Sequence, residues 1–209
     1  VLFDRPKEAL GITRDIHFYC SEFNVRDRTD YEPSVDEPEL ASRLLTATWD
    51  KLGVVGNSGQ PVSQFSLYFV LFDDAPDDAF SNAETVSPLE MRPRGQVAEL
   101  VADLASGMDF VALDPLGTGV FVLEGNGKKL WVWQNVYGWT NFYGNAIRIT
   151  DIPEGVDSIE VYGWDGLRRV VQTGGQRALM IDSLMKGETY MFLAQESVSG
   201  FFEAERSEN

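Results

Sequence analysis

The chain has 209 residues, of which 44% are hydrophobic and 12% aromatic, and 33 acidic against 17 basic residues give a net charge of −16. This composition is too rich in core-forming residues for disorder, and no run approaches the roughly 18 apolar residues of a membrane span. Because phosphate backbones need clustered cations, and the densest basic spots are the pairs at 128–129 and 168–169, nucleic-acid binding is not expected.

The acidic excess also bears on the environment of the protein. Clustered carboxylates hold water and ions, and salt screens their mutual repulsion, so a halophilic or marine source fits this surface. The chain begins at Val1 and no leader-like apolar run follows, which leaves its targeting open. The single Cys20 and single His17 exclude an intrachain disulfide and any site that needs two imidazoles.

The first half of the chain, residues 1–110, is predicted to be a mixed α+β region. Alternating apolar residues predict a strand over 12–23. Asp36 is a candidate cap for a helix over 37–52, in which leucines and a tryptophan recur at helical spacing until Gly53.

The remainder of the first half alternates strand, loop and helix. A nearly continuous run of apolar residues over 64–72 predicts a strand buried on both faces. A long acidic loop is predicted over 73–95, followed by a short amphipathic helix over 95–106. The loop carries Asp73, Asp74, Asp77 and Asp78. These acids lack the spacing and glycine of a calcium-binding EF-hand loop, so a solvated acidic loop is favoured and no metal site is predicted.

The second half, residues 111–209, has the pattern of an antiparallel β-sandwich of the immunoglobulin-like or jelly-roll-like kind. Short apolar runs from DFVALDP to GFFEAE recur about every ten residues and are separated by glycine-rich turns. EGNGKK and GWDGL predict tight hairpins, because Asn-Gly and Asp-Gly supply the positive φ angles that such turns require. The whole chain is therefore predicted to be mostly β.

The segment RALMIDSLMKGETYMFLAQESVSGFF resembles three strands of a fibronectin type III or related immunoglobulin-like domain. Leu184, Gly187 and Tyr190 fall where that family has its tyrosine-corner pattern, and the resemblance extends over about residues 119–205. It implies that Trp139 is a core tryptophan and that the Tyr190 hydroxyl bonds to the backbone a few residues upstream. The chain departs from the family at Met185, where a proline is common. The resemblance implies a role in binding or as a spacer rather than in catalysis.

No catalytic signature is present, so the chain is predicted not to be an enzyme and to carry no cofactor. GNSGQ at 56–60 lacks the last glycine of a nucleophile elbow, and the glycine pairs at 117 and 125 lack the third glycine of a dinucleotide loop. Glycoside hydrolysis needs only two carboxylates at a suitable separation. Glu160 and Asp165 are the pair that keeps a glycosidase or lyase open as an alternative.

The aromatic stretch LWVWQNVYGWTNFYGN at 130–145 is the strongest functional clue. Trp131 and Trp133 share one face of a strand, and burial of that face is favoured over an exposed platform that stacks on sugar rings. If the tryptophan face were exposed, three polar neighbours could supply hydrogen bonds to a glycan: Gln134, Asn135 and Asn141. The tetrad VYGW occurs at 136–139 and again at 161–164, which indicates two similar strands rather than a repeat architecture. The candidate ligand- or partner-binding residues are Trp131, Trp133, Tyr137, Trp139, Tyr143 and Trp164.

These observations favour a non-enzymatic structural or assembly subunit. We expect protein partners, as a homo-oligomer or a larger assembly such as a virion shell, tail or cell-surface lattice, because aromatic patches anchor protein interfaces. A virion or extracellular location is favoured, without membrane insertion. The alternatives are a carbohydrate-binding module and the carboxylate-dependent glycosidase or lyase.

Overall fold

The computed structural model describes residues 18–23, 37–52, 63–68, 83–86, 89–112, 120–136 and 144–195. Across these residues the protein is mostly β, with antiparallel sheets and a helical part in its N-terminal half, which confirms the coarse fold prediction. Of the helices in these ranges, none is long and apolar enough to cross a membrane.

The N-terminal elements begin with a strand–helix–strand unit. Strand β1 (Phe18–Phe23) pairs in parallel with β2 (Ser63–Tyr68), and helix α1 (Glu37–Leu52) lies between them in the sequence. Parallel strands cannot be joined by a tight turn, so a crossover helix of this kind is the usual connection. The predicted helix over 37–52 is confirmed, and its candidate cap Asp36 lies outside the described residues.

The loop that was predicted over 73–95 is wrong in its second part. Strands β3 (Ala83–Val86) and β4 (Leu89–Met91) pair there as an antiparallel hairpin. Strands of four and three residues are too short to show a recognisable alternation, which is why the sequence pattern missed them. Helix α2 (Pro93–Ala105) follows and begins slightly earlier than predicted, with a proline in its first turn, where the missing N–H costs nothing.

The described residues from 109 onward form eight strands: β5 (Asp109–Ala112), β6 (Val120–Gly125), β7 (Lys128–Asn135), β8 (Ile147–Thr150), β9 (Ser158–Gly163), β10 (Gly166–Gln172), β11 (Ala178–Ile181) and β12 (Glu188–Gln195). Six of them form one antiparallel sheet in the order β10-β9-β12-β7-β6-β5, and β8 and β11 form a separate antiparallel ribbon. Each described strand matches an apolar run of the sequence, and the last run, GFFEAE, lies outside the described residues.

The sheet buries both of its faces. One face packs against the β8–β11 ribbon through a cluster that includes Trp131, Trp133, Ile149 and Phe192. The other face packs against α1 and α2, and its cluster is the following: Ala41, Leu44, Leu45, Trp49, Val97, Val101, Leu104, Leu123, Leu130, Val132, Met191 and Leu193. The strict alternation along β7 and β12 follows from the two-residue period of a strand. We call these the ribbon face and the helix face of the sheet.

Buried polar contacts fix α1 on the helix face. The Thr46 hydroxyl lies 2.7 Å from the Thr189 hydroxyl on β12, and the Gln134 side-chain amide on β7 donates to the Thr46 carbonyl at 2.9 Å. The two helices are also linked at their N-terminal ends, where the fully buried Arg94 lies 3.5 Å from a Glu37 carboxylate oxygen. These directional contacts set the register of α1 on the sheet, which apolar packing alone does not specify.

Both predicted hairpins are present, but their turns differ. Asn126 and Gly127 have φ angles of 52° and 68°, as an Asn-Gly hairpin requires. In the second hairpin only Gly166 has a positive φ, at 96°, so the expectation of two left-handed residues in GWDGL is wrong at Asp165. A strand irregularity between Leu167 and Arg169 accompanies this turn, and the added residue is Arg168.

Candidate functional site

Trp131 and Trp133 are core residues. Their exposed fractions are 4% and 0%, and both indoles lie on the ribbon face of β7. This confirms the favoured expectation of burial, and it excludes a stacking platform made of these two rings in the folded chain. The Lys129 ammonium lies 5.3 Å from the centre of the Trp131 ring, so the rim of this cluster carries a cation.

The polar neighbours of these tryptophans are used inside the protein. Gln134 is 3% exposed and donates to α1, as described above, while Asn135 is fully buried. Neither side chain is therefore available to a glycan. Both still contribute to the site, because their hydrogen bonds hold neighbouring elements in place. Asn141 lies outside the described residues.

Asn135 clamps the connection between β7 and β8. Its amide nitrogen donates to the carbonyls of Gly144, at 2.8 Å, and Met185, at 2.9 Å, and its amide oxygen accepts from the Gly144 N–H at 3.0 Å. The Asn135 carbonyl accepts a further bond from the Gly187 N–H at 2.9 Å. One buried side chain thus ties together the start of the connection, its end, and the loop that precedes β12.

The aromatic residues Tyr137, Trp139 and Tyr143 belong to this connection and lie outside the described residues. The points where the connection leaves and rejoins the described protein are nevertheless fixed, at Val136 and Gly144, and the Asn135 amide bonds directly to Gly144. We call residues 137–143 the aromatic segment.

Three connections leave or enter the sheet at the same end of its strands. Strands β7 and β9 are both antiparallel to β12, so they run in the same direction and end on the same side. The aromatic segment follows β7, the turn at Trp164 and Asp165 follows β9, and the loop at 182–187 leads into β12. We call this side of the sheet the Asn135 end.

A cleft opens at the Asn135 end between α1 and the sheet. Its volume is about 420 Å³, and its lining residues are Glu39, Ser42, Arg43, Thr46, Ala47, Val136 and Gly187. Arg43 and Glu39 form an exposed ion pair of 2.6 Å on α1. Val136, the last described residue before the aromatic segment, lines this cleft.

Trp164 is separated from the two core tryptophans by the sheet itself. It is half-buried and packs with the helix-face cluster, whereas Trp131 and Trp133 lie on the ribbon face. The structure therefore divides the predicted aromatic site. Two members are in the core, and Trp164 shares the Asn135 end with the connection that carries the other three.

An ion-pair network occupies the ribbon side of the Asn135 end. Arg168 donates to Asp165 at 2.7 Å, pairs with a Glu188 carboxylate oxygen and approaches the Tyr190 hydroxyl at 3.3 Å. The Tyr190 hydroxyl also accepts the Met185 N–H at 2.9 Å. The resemblance to fibronectin type III domains implied a bond from Tyr190 to the upstream backbone. It did not indicate Arg168, since nothing in the spacing predicted a strand irregularity there.

Glu160 and Asp165, the paired carboxylates of the sequence analysis, are held by different partners. Glu160 accepts a 2.7 Å bond from the Tyr162 hydroxyl, and Asp165 accepts from Arg168. Burial, and then the hydrogen bond and negative charge of Glu160, raise the pKa of Tyr162 well above its usual range. Tyr162 consequently stays protonated as the donor of this pair.

The two VYGW copies are not structurally equivalent. Met191 of β12 pairs with Val132 on one side and with Tyr162 on the other, so Tyr162 corresponds to a residue five positions before Tyr137. The second copy lies largely within β9, whereas the first begins after β7 has ended. The expectation that both copies lie on similar strands is therefore wrong at Val136, which follows the end of β7, and residues 137–139 of the first copy lie outside the described residues. The unequal positions of Val136 and Val161 are those expected without a repeat architecture.

Among the described residues, no group of three acids, histidines or cysteines is placed to hold a metal ion. The aspartates at 73, 74, 77 and 78 lie outside those residues, as does His17, so the solvated acidic loop without a metal site stays a prediction.

Comparison with known proteins gives a likeness of fold. No protein family and no curated protein matches the sequence. A GH30 endoxylanase from Clostridium papyrosolvens C71 is 11% identical with a TM-score of 0.53, over 90% of this chain and 44% of the endoxylanase. An Anoxybacillus alpha-amylase is 16% identical with a TM-score of 0.38, over 77% of this chain and 33% of the amylase. This chain thus spans less than half the length of either enzyme, and at these identities the endoxylanase match concerns the fold alone.

Proposed function

We propose that the protein binds carbohydrate at the Asn135 end, through the aromatic segment and the adjoining cleft. The observation that carries this proposal is the Asn135 clamp, which holds Gly144 at one end of a seven-residue segment with four aromatic residues, while Val136 at its other end lines a cleft. Anchoring an end in this way reduces the conformational entropy that the segment loses when it binds a ligand.

The residue types of the segment suit a sugar ligand. Tyr137, Trp139 and Tyr143 offer flat apolar faces together with polar edges, and the cleft adds the hydroxyl of Ser42. The cleft volume falls in the range of ordinary small-ligand sites. The fold likeness to an endoxylanase gives the same proposal modest independent support.

Polysaccharide binding tests this proposal directly. We expect migration of the full chain in native gels to be retarded by xylan or another neutral polysaccharide. Trp139→Ala should weaken binding at least about tenfold, as loss of an aromatic anchor usually does. Met180→Ala is a matched control, because it shortens a 59% exposed side chain on β11. Absence of binding to a panel of neutral polysaccharides, or full binding by the Trp139 variant, would count against the proposal.

A second proposal, that the chain is an assembly subunit, is supported by an exposed apolar patch. Leu167 and Val170 on β10 are 52% and 48% exposed, and they pair across the strands with Tyr162 and Glu160 on the helix face. Trp164 lies at the end of the same two strands. Apolar side chains grouped in this way fit a protein contact, of the kind that a virion shell, tail or cell-surface lattice uses.

Light scattering after size-exclusion chromatography distinguishes this second proposal. The wild-type chain should form oligomers, and the double change Leu167→Lys and Val170→Lys should give monomers without loss of fold. A wild-type chain that stays monomeric at high concentration would contradict an assembly role.

The third proposal, a glycosidase or lyase, has less support within the chain. The fold likeness to an endoxylanase favours it. Against it, Glu160 and Asp165 are engaged by Tyr162 and Arg168 respectively, so these contacts do not direct the two carboxylates at a shared substrate. Release of reducing sugars from polysaccharides, abolished by Glu160→Gln, is the result that would favour catalysis over binding.

We also propose an immunoglobulin-like arrangement for the sheet and its ribbon. The bond from the Tyr190 hydroxyl to the backbone of Met185, five residues upstream, supports the resemblance to fibronectin type III domains. Leu184 packs in the same buried cluster as Tyr190, as that resemblance implies.

A further inference from the structure

A second cleft lies at the opposite end of the sheet from Asn135. Its volume is about 460 Å³, and it is formed by the β6–β7 hairpin, the residues that follow β8 and the residues that precede β11. The walls are fixed by backbone bonds, since the Ile152 N–H donates to the Arg177 carbonyl at 3.1 Å. The tight turn at Asn126 and Gly127 fixes the position of the hairpin.

Three cations line this cleft: Lys128, Lys129 and Arg177. Lys129 is largely buried, and it is held by Glu124 at 2.6 Å and by the ring of Trp131 beneath it. Among the described residues, the side chains of Lys128 and Arg177 have no hydrogen-bonding or ion-pair partner. The cleft therefore combines one braced ammonium with two cations that are available to a ligand.

The charge of this cleft contrasts with that of the chain. Glu124 neutralises Lys129 and Asp151 adds one further carboxylate, so the lining keeps an excess of one positive charge. The whole chain carries −16 with only 17 basic residues. A local cationic excess on such an anionic protein selects for a ligand whose anionic group can reach the cations at hydrogen-bonding distance, where screening by water is weakest.

We propose that this cleft is an anion-binding subsite that takes a carboxylate-bearing sugar. Arg177 and Lys128 would bind the carboxylate, because guanidinium and ammonium groups form charge-assisted bonds with carboxylate oxygens. The cleft is large enough for a sugar ring, and its lining is mostly polar. The sugar part of this assignment rests on the proposed carbohydrate function, whereas the carboxylate part rests on the three cations alone.

Calorimetric titration of the full chain with trigalacturonate tests the inference, with xylotriose as the neutral probe. We expect trigalacturonate to bind, and we expect any xylotriose binding, which the proposed site at the Asn135 end accounts for, to be unaffected by changes in this cleft. Lys128→Gln and Arg177→Gln should each weaken trigalacturonate binding about tenfold, the usual weight of one charged hydrogen bond. Arg148→Gln is the matched control, because it makes the same one-unit change in net charge at an exposed position of β8.

Several results would overturn the inference. The inference is overturned if trigalacturonate fails to bind the wild-type chain at millimolar concentration. It is also overturned if the Lys128 and Arg177 variants bind trigalacturonate as tightly as the wild type. An equal loss in the Arg148 control would show that net charge, and not the cleft, governs the affinity. Failure here is separable from failure of the carbohydrate proposal, because Trp139→Ala tests neutral polysaccharide binding at the other end of the sheet.

Discussion

The guanidinium group of Arg168 lies where a side chain on Gly163 would begin. A Cβ atom on Gly163 would come within 2.3 Å of the Arg168 Nε and 2.4 Å of its Cζ. This contact explains the glycine of the second VYGW, because the absence of a side chain lets the arginine cross β9 to reach Glu188. The glycine serves a close approach rather than a turn.

Gly163→Ala should therefore act through Arg168. The guanidinium can move, since it is the end of a flexible side chain, but it would then lose its bonds to Asp165, Glu188 and Tyr190. We expect a loss of roughly 1 to 3 kcal/mol in the free energy of unfolding. In an Arg168→Ala background the same substitution should be nearly neutral. A double-mutant cycle from urea denaturation measures this coupling, and additive effects would disprove it.

Tyr190→Phe removes the hydroxyl that accepts both the Met185 N–H and the Arg168 guanidinium. Tyr190 is 2% exposed, so a cost of about 1 to 3 kcal/mol is expected when these donors lose their acceptor. Denaturation of the two proteins decides the matter. A difference below about 0.5 kcal/mol, the usual scatter for surface substitutions, would refute the structural role of the hydroxyl.

The sequence predicted the elements of this fold better than their polar connections. Helix α1 and the strands of the C-terminal half follow from apolar periodicity and turn residues, which are local properties. The hairpin of β3 and β4 was missed because its strands are short. The Asn135 clamp and the Arg168 network depend on contacts between residues far apart in the chain, and no local pattern encodes them.

The candidate site was predicted only in part, again because contacts between distant residues leave no local pattern in the sequence. Alternation placed Trp131 and Trp133 on one face but did not say which face was covered, since that depends on where the β8–β11 ribbon packs. Trp164 was grouped with them by residue type, and the sheet separates it from them. Residue type predicts a tendency to bind, whereas topology decides which side chains share a surface.

Asn135→Ala should destabilise the Asn135 end and impair binding there. The change leaves the carbonyls of Gly144 and Met185 and the N–H of Gly144 without this partner, at an expected cost of about 2 to 4 kcal/mol. Polysaccharide affinity should fall under conditions in which the variant remains folded by circular dichroism. Asn135→Asp should be at least as damaging, because it directs a buried carboxylate at two carbonyls. Unchanged polysaccharide affinity in a folded Asn135→Ala variant would show that binding does not depend on the hydrogen bonds of the Asn135 side chain.

Stability should decline at alkaline pH because of Tyr162. Burial and Glu160 raise its pKa in the folded chain above the ordinary value of 10.0. Below pH 10 the phenol is protonated in both states, so its contribution is fully present there. As the pH rises further, the unfolded chain loses the proton while the folded chain retains it, and stability falls. Urea denaturation from about pH 9 to 12 should show a shallower decline for Tyr162→Phe than for the wild type. Identical pH profiles would rule this origin out.

The Thr46 and Thr189 pair should show unequal single effects. Thr46 donates its hydroxyl hydrogen to the Ser42 carbonyl at 3.1 Å, so the 2.7 Å bond between the two threonines has Thr189 as its donor. Thr46→Val then leaves the buried Thr189 hydroxyl without this acceptor, at a cost of roughly 1 to 3 kcal/mol. Thr189→Val leaves Thr46 still bonded to Ser42 and should cost less.

The double variant Thr46→Val and Thr189→Val should cost less than the sum of the singles, because replacing both partners by apolar groups of the same shape leaves no orphaned hydroxyl. Thr189→Ser is the control, since it keeps the hydroxyl and removes only a methyl group. Urea denaturation of the four proteins measures the coupling between α1 and β12. If Thr189→Val proved the more costly single change, Thr46 would be the donor, and the hydrogen bond to Ser42 would not form. Additive effects would show instead that the bond between the two threonines does not couple α1 to β12.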